Sequence, residues 1–117
     1  MPKTPSGLNY QLDDIRPPWR KRLEGRGLPI VFHHGVAANL HMFSDWVGLV
    51  AAHHPIVRFD MRGLGQSAVP PLDHAWSIDG LIADIFEVAD VAFGPQTKVH
   101  LAGESIGRET SARPAAI

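Results

Sequence analysis

Three features of this sequence predict an α/β fold, a parallel sheet with helices packed on its faces. Short continuous apolar runs alternate with longer stretches whose apolar residues recur at helical spacing. Gly- and Pro-rich connections separate them, and the resulting order of strand, helix, strand, helix, strand is the rhythm of βαβ units. At 117 residues, 44% apolar and 20% charged, the composition is that of one globular domain. A net charge of −1 gives no electrostatic footprint for nucleic acid or an anionic membrane surface, so neither is expected as a partner.

The elements follow in chain order. Leu8, Tyr10 and Leu12 alternate within Gly7 to Asp14, which predicts a half-buried strand. Arg16-Pro17-Pro18-Trp19-Arg20-Lys21-Arg22 is basic and broken by prolines, and is read as a solvated loop because the chain around it is not basic. Leu28 to His33 turns continuously apolar and halts at Gly35, as a strand buried on both faces does. From His41 to Ala52, Met42, Phe43, Trp46, Val47, Leu49 and Val50 recur at helical spacing. A second buried strand spans Pro55 to Asp60. A helix then runs from Ile78 to Phe93 through Leu81, Ile82, Ile85, Phe86, Val88, Ala89 and Ala92, and Gly94-Pro95 ends it. Val99 to Ala102 reads as the third buried strand.

The chemistry points to Ser105, in the run Gly103-Glu104-Ser105-Ile106-Gly107, directly after that third strand. A serine on a sharp strand-to-helix turn is held out as a nucleophile, and its flanking glycines let neighbouring backbones approach closely. The Ile106 N–H, at the start of the following helix, would face a developing oxyanion. Serine also favours the N-cap of an ordinary βα turn, so the string alone suits a structural role too. A second signature weighs against that. His34-Gly35-Val36 follows the strand from Leu28, where glycine lets a backbone N–H turn toward a reacting carbonyl, making Val36 the second donor. His33 is read as a packed strand-end residue in preference to a catalytic base. The seven histidines occur as His33-His34 and His53-His54 with singles at 41, 74 and 100, which fits no metal-ligand spacing. No metal or cofactor is expected, and with no cysteine present thiolate chemistry and disulfides are excluded.

A third signature, Asp60-Met61-Arg62-Gly63-Leu64-Gly65-Gln66-Ser67, resembles the D-x-R-G-x-G-x-S turn of α/β-hydrolases. With the HG loop and the G-x-S-x-G turn in the same order, residues 7 to 107 resemble the esterase and lactonase branch of that superfamily. The turn reads as scaffold: Gly63 and Gly65 permit a tight reversal, and Asp60 and Arg62 can pair or hydrogen-bond to fix it. The resemblance implies a small-molecule ester, thioester or lactone substrate. It also implies an acid and a histidine after later strands, so Asp60 is not assigned as the acid. Serine at position 105 argues against the dehalogenase- and epoxide-hydrolase-like members, which use aspartate there. Lyases and cofactor-free peroxidases or transferases remain open.

The segment Arg108 to Ile117 departs from the family pattern. Relatives continue into a helix of small and apolar residues, whereas Arg108 and Glu109 follow Gly107 here and Pro114 would break a helix. The expectation is therefore residues 1–107 as the N-terminal portion of an α/β-hydrolase domain, incomplete, and 108–117 as a non-family tail, from a frameshift or a wrongly joined gene. Reading the DNA downstream of Gly107 in the other two frames tests this, and absence of a G- and A-rich helix there sinks it. An incomplete sheet leaves an apolar open edge, predicting self-association and poor solubility. Such a chain is expected to lack activity alone, the alternatives being a non-catalytic fragment or a half completed by another chain, with a pure binding module the weakest. The N-terminus, Met1-Pro2-Lys3-Thr4-Pro5, lacks the apolar run of a signal peptide, and a cytoplasmic location is expected.

Overall fold

The computed structural model describes residues 2–35 and 38–103. It contains β1 (Tyr10–Asp13), α1 (Pro18–Glu24), β2 (Ile30–His33), a 3₁₀ turn (Leu40–Phe43), α2 (Ser44–Val50), β3 (Ile56–Phe59), α3 (Ile78–Phe93) and β4 (His100–Gly103). These strands form one sheet in the order β1-β3-β2-β4. β2 pairs parallel with both β3 and β4, as the βαβ rhythm predicts, whereas β1 runs antiparallel on β3. The sheet is thus mixed, with its one antiparallel strand at an edge, a common arrangement in α/β folds.

The chain moves from β2 outward to β3 and then back past β2 to β4. Right-handed crossovers in opposite directions place their helices on opposite faces of the sheet. The packing bears this out: α3 covers Val31, Val57 and Phe59 with Ile85, Val88 and Ala89, and Leu8 completes that layer. On the other face Phe32 and Ile56 meet Ala51, Val47 and Val50 at the end of α2. Each fully buried aliphatic or aromatic side chain contributes about 1.5–3 kcal/mol, so these two layers supply most of the driving force.

Several elements differ from the sequence reading. The basic segment after Arg16 is a helix: Pro18 occupies its first turn, where a missing N–H costs nothing, and the Gly25 N–H bonds the Lys21 carbonyl at its end. Arg16 itself is buried, its guanidinium donating to the Asp14 carboxylate and the Gly25 carbonyl, both at 2.8 Å. β2 begins at Ile30, leaving Leu28 exposed. The helix expected from His41 to Ala52 starts as a tighter 3₁₀ turn and becomes α-helical only at Ser44. Its apolar stripe is wider than the sheet can cover, and Trp46 and Leu49 stay exposed. α3 has the predicted bounds, with Ser77 capping it through the Gly80 N–H at 3.0 Å, although Phe86 points outward.

Candidate active site

The strand register fixes where the motif loops leave the sheet. His33, Phe59 and Gly103, the last residues of β2, β3 and β4, stand level across the ladder. The His34-Gly35 loop and the Asp60 turn therefore emerge side by side at the carboxyl edge, next to the end of the strand that runs into the Gly-x-Ser-x-Gly motif. The reversal of strand order about β2 falls here, and open α/β sheets bind ligands at such a point.

Asp60 organises the turn. One carboxylate oxygen accepts the Leu40 N–H at 2.8 Å, and the other accepts the Asn9 amide and the Gln66 N–H, both at 2.9 Å. Ser67 closes the loop by donating its hydroxyl to the Asp60 carbonyl and accepting the Asn9 N–H. Gly65 has φ +52°, and a Cβ there would lie 2.3 Å from the Asp60 Cγ. Only glycine combines that left-handed backbone with so close an approach. Gly63, at φ +82°, donates to the Ala68 carbonyl at 2.9 Å.

Arg62 does not pair with Asp60. Its guanidinium grips Asp84 of α3 with two hydrogen bonds, of 3.1 and 2.7 Å, and a third reaches the Ser6 hydroxyl. The Asp84 carboxylate raises the Arg62 pKa above its ordinary value. The turn is thereby tied to the long helix as well as to the sheet.

Two buried histidines end β2. His33 donates from Nδ1 to the His34 carbonyl at 2.8 Å and meets Phe59 edge-on, with ring centroids 5.1 Å apart. Burial pushes its pKa below the usual histidine value. His34 is buried completely; its Nδ1 lies 2.6 Å from the Gly35 carbonyl oxygen and its Nε2 accepts the Met61 N–H at 2.8 Å.

Among the predicted site residues, His34, Gly35, Asp60, Arg62, Gly63, Gly65 and Gly103 are thus placed around one edge. Ser105, Ile106, Gly107 and Val36 lie outside the described residues, as does the segment 108–117. Sequence reasoning missed Asn9, which bonds both the turn and Asp60, and Asp84. Asp84 carried a signal: it falls on the same helical stripe as Leu81, Ile85 and Val88, where a carboxylate needs a buried partner. Among the described residues, two cavities flank α3. One of about 170 Å³ lies beside Arg62, Trp76 and Asp84. A larger one of about 450 Å³ lies by Arg16, Pro55 and Phe93, beside the residue that precedes β3 and away from the motif loops.

Comparison with known proteins agrees with this architecture. The family model described as alpha/beta hydrolase fold matches residues 29–116, a span that runs past Gly107. The chain belongs to the α/β-hydrolase fold family. It is 33% identical over 78 residues to a pimeloyl-[acyl-carrier protein] methyl ester esterase of Neisseria meningitidis, a match covering 62% of this chain and 30% of that protein. Among solved structures, it superposes on an enol-lactonase from Burkholderia xenovorans with a TM-score of 0.78 at 24% identity, covering 97% of this chain and 40% of the other. An epoxide hydrolase from an endophytic Streptomyces gives a TM-score of 0.76 at 22% identity, covering 99% of this chain and 32% of the other. The chain therefore spans well under half the length of these relatives. At such identities the two structures establish the fold alone. No helix among the described residues is long and apolar enough to cross a membrane.

Proposed function

We propose that this chain carries the nucleophile-bearing part of a serine hydrolase acting on an ester, thioester or lactone. The observation that supports this is the level register of His33, Phe59 and Gly103, the ends of the three strands that lead into the motif segments. In this reading Ser105 Oγ attacks the acyl carbon, and the N–H groups of Val36 and Ile106 stabilise the oxyanion. The tetrahedral intermediate expels the alcohol or thiol, which takes up a proton, and water then hydrolyses the acyl-serine. Asp60 acts as scaffold, since its carboxylate already accepts three N–H donors. The esterase relative and the serine at position 105 favour ester chemistry over epoxide opening. A cytoplasmic setting belongs to this reading, supported by a sequence without cysteine.

The family draws its acid and histidine from later strands, and without a base a serine hydroxyl is a weak nucleophile. We therefore infer that the chain is inactive alone. A fluorophosphonate probe followed by intact-mass and peptide analysis tests both parts. The expected result is no labelling of the isolated chain, and labelling of Ser105, abolished in Ser105→Ala, when a C-terminal half from a relative is co-expressed. Labelling of the isolated chain would overturn the inactivity; labelling of another residue in the complemented protein would overturn the nucleophile.

One observation favours completion by another chain. β4 is an edge strand whose outer side carries no strand among the described residues. The His100 N–H bonds the Pro29 carbonyl at 2.8 Å, so alternation directs the Leu101 N–H and carbonyl outward. This edge is a template for a second chain. Sedimentation velocity over a tenfold concentration range is expected to show self-association, and a folded, concentration-independent monomer would count against it.

A further inference from the structure

We infer that His34 is a positioning residue: a clamp, held in its Nδ1–H tautomer, that sets the Gly35 peptide against the Asp60–Ser67 turn. The tautomer follows from its partners. A backbone N–H can only donate, so the bond from Met61 requires a bare Nε2. A carbonyl oxygen can only accept, so the contact with Gly35 requires a proton on Nδ1. Both ring nitrogens are committed, and complete burial leaves no water to replace either bond.

The geometry gives the clamp its consequence. In a trans peptide a carbonyl and the N–H that follows it point in opposite directions across one rigid plane. Holding the Gly35 oxygen therefore fixes the plane that follows Gly35, and a 3.2 Å bond from the Ala38 N–H braces the same oxygen. The other end of the ring is anchored to Met61, between Asp60 and Arg62, each bound to a different layer of the molecule. His34 thus transmits the position of the turn to the loop. This inference rests on the proposed role of that loop in oxyanion stabilisation, but its test does not read Ser105.

The test uses ring ¹⁵N shifts and amide hydrogen exchange on the full chain with two variants. Asn places its amide nitrogen where Nδ1 lies, so His34→Asn keeps the donor to Gly35 and loses the acceptor for Met61. Gln reaches the position of Nε2, so His34→Gln keeps the acceptor for Met61 and loses the donor to Gly35. The expected result is a protonated Nδ1 and bare Nε2 in the unmutated chain. Met61 amide exchange should be at least about tenfold faster in His34→Asn and near the unmutated rate in His34→Gln, with the Gly35 carbonyl ¹³C shift moving only in His34→Gln. An Nε2–H tautomer, or equal Met61 exchange in the two variants, would overturn the clamp. Absence of Ser105 labelling in the complemented protein would overturn the hydrolase reading while leaving these signatures unchanged.

Discussion

Replacing Asp60 with Asn should weaken the fold by about 4 kcal/mol, combining one lost charge-assisted hydrogen bond with one buried N–H left facing a donor. The carboxylate accepts the Asn9 amide and the Gln66 N–H on one oxygen and the Leu40 N–H on the other. Asparagine has a single acceptor oxygen. Its better orientation keeps that oxygen on the Asn9 and Gln66 side, which turns the new NH₂ toward the Leu40 N–H. The lost bond to a charged group is worth about 1.5–3 kcal/mol and the stranded donor about 1–3 kcal/mol, while the two retained bonds weaken with the loss of charge. Equilibrium urea unfolding followed by tryptophan fluorescence reads the effect. With a slope near 2 kcal/mol per molar, the midpoint should fall by roughly 2 M. Asp90→Asn, at an exposed position on α3, serves as the control and should change stability by less than about 0.5 kcal/mol. A midpoint for Asp60→Asn within about 0.5 M of the unmutated chain would refute the assignment of Asp60 as the hub of the turn.

Gly65→Ala should destabilise by more than the ~1–2 kcal/mol of a left-handed residue, because its Cβ displaces the Asp60 carboxylate. Gly48→Ala in α2, with open space around its Cβ, should instead stabilise by about 0.5–1 kcal/mol; the reverse order of unfolding midpoints would contradict both. Asp84→Asn should cost about 2 kcal/mol through loss of the paired bonds to Arg62, seen as a drop in Tm, and an unchanged Tm would show that Arg62 finds an equal partner elsewhere. Burial lowers the His33 pKa, so the unfolded chain binds its proton first as the solution is acidified. The stability linked to His33 is accordingly complete above the unfolded value of about 6.5 and lost as pH falls through the lower folded value. His33→Gln should flatten the fall in unfolding midpoint between pH 7 and 5, and an identical slope would exclude that linkage.

β3 and α3 were legible because their environments are uniform: β3 is buried along its whole length, and α3 shows a stripe of one period between Ser77 and Gly94, whereas β4, expected as a buried strand over Val99 to Ala102, runs from His100 to Gly103 with His100 exposed and the rest half-buried. The motif positions were legible for a related reason, since glycines at Gly63 and Gly65 mark a backbone that few other residues adopt. What escaped was long-range pairing. Arg62 and Asp60 sit two apart in a turn and look like natural partners, yet Asp84 lies within reach on α3 and leaves the Asp60 carboxylate to three N–H donors. Asn9 offered no local sign, because its position in an alternating strand predicts an outward side chain and its partners are far along the chain. The helix Pro18–Glu24 was hidden by prolines that break helices internally but suit their first turn.

The order in which the strands meet has a consequence for how the molecule is made. β2 and β3 lie close in sequence, joined through α2, whereas β4 must cross the whole of α3 to return to β2. Contacts of long sequence separation form late, so during synthesis the β2–β3 unit can close while the strand leading to Gly103 is still emerging. Its register is then chosen against a finished template. A one-residue slip would turn Leu101 from the α3 face to the α2 face and bring a different residue level with His33. Folding fidelity and the level placing of Gly103 beside His33 are thereby decided in the same late pairing event.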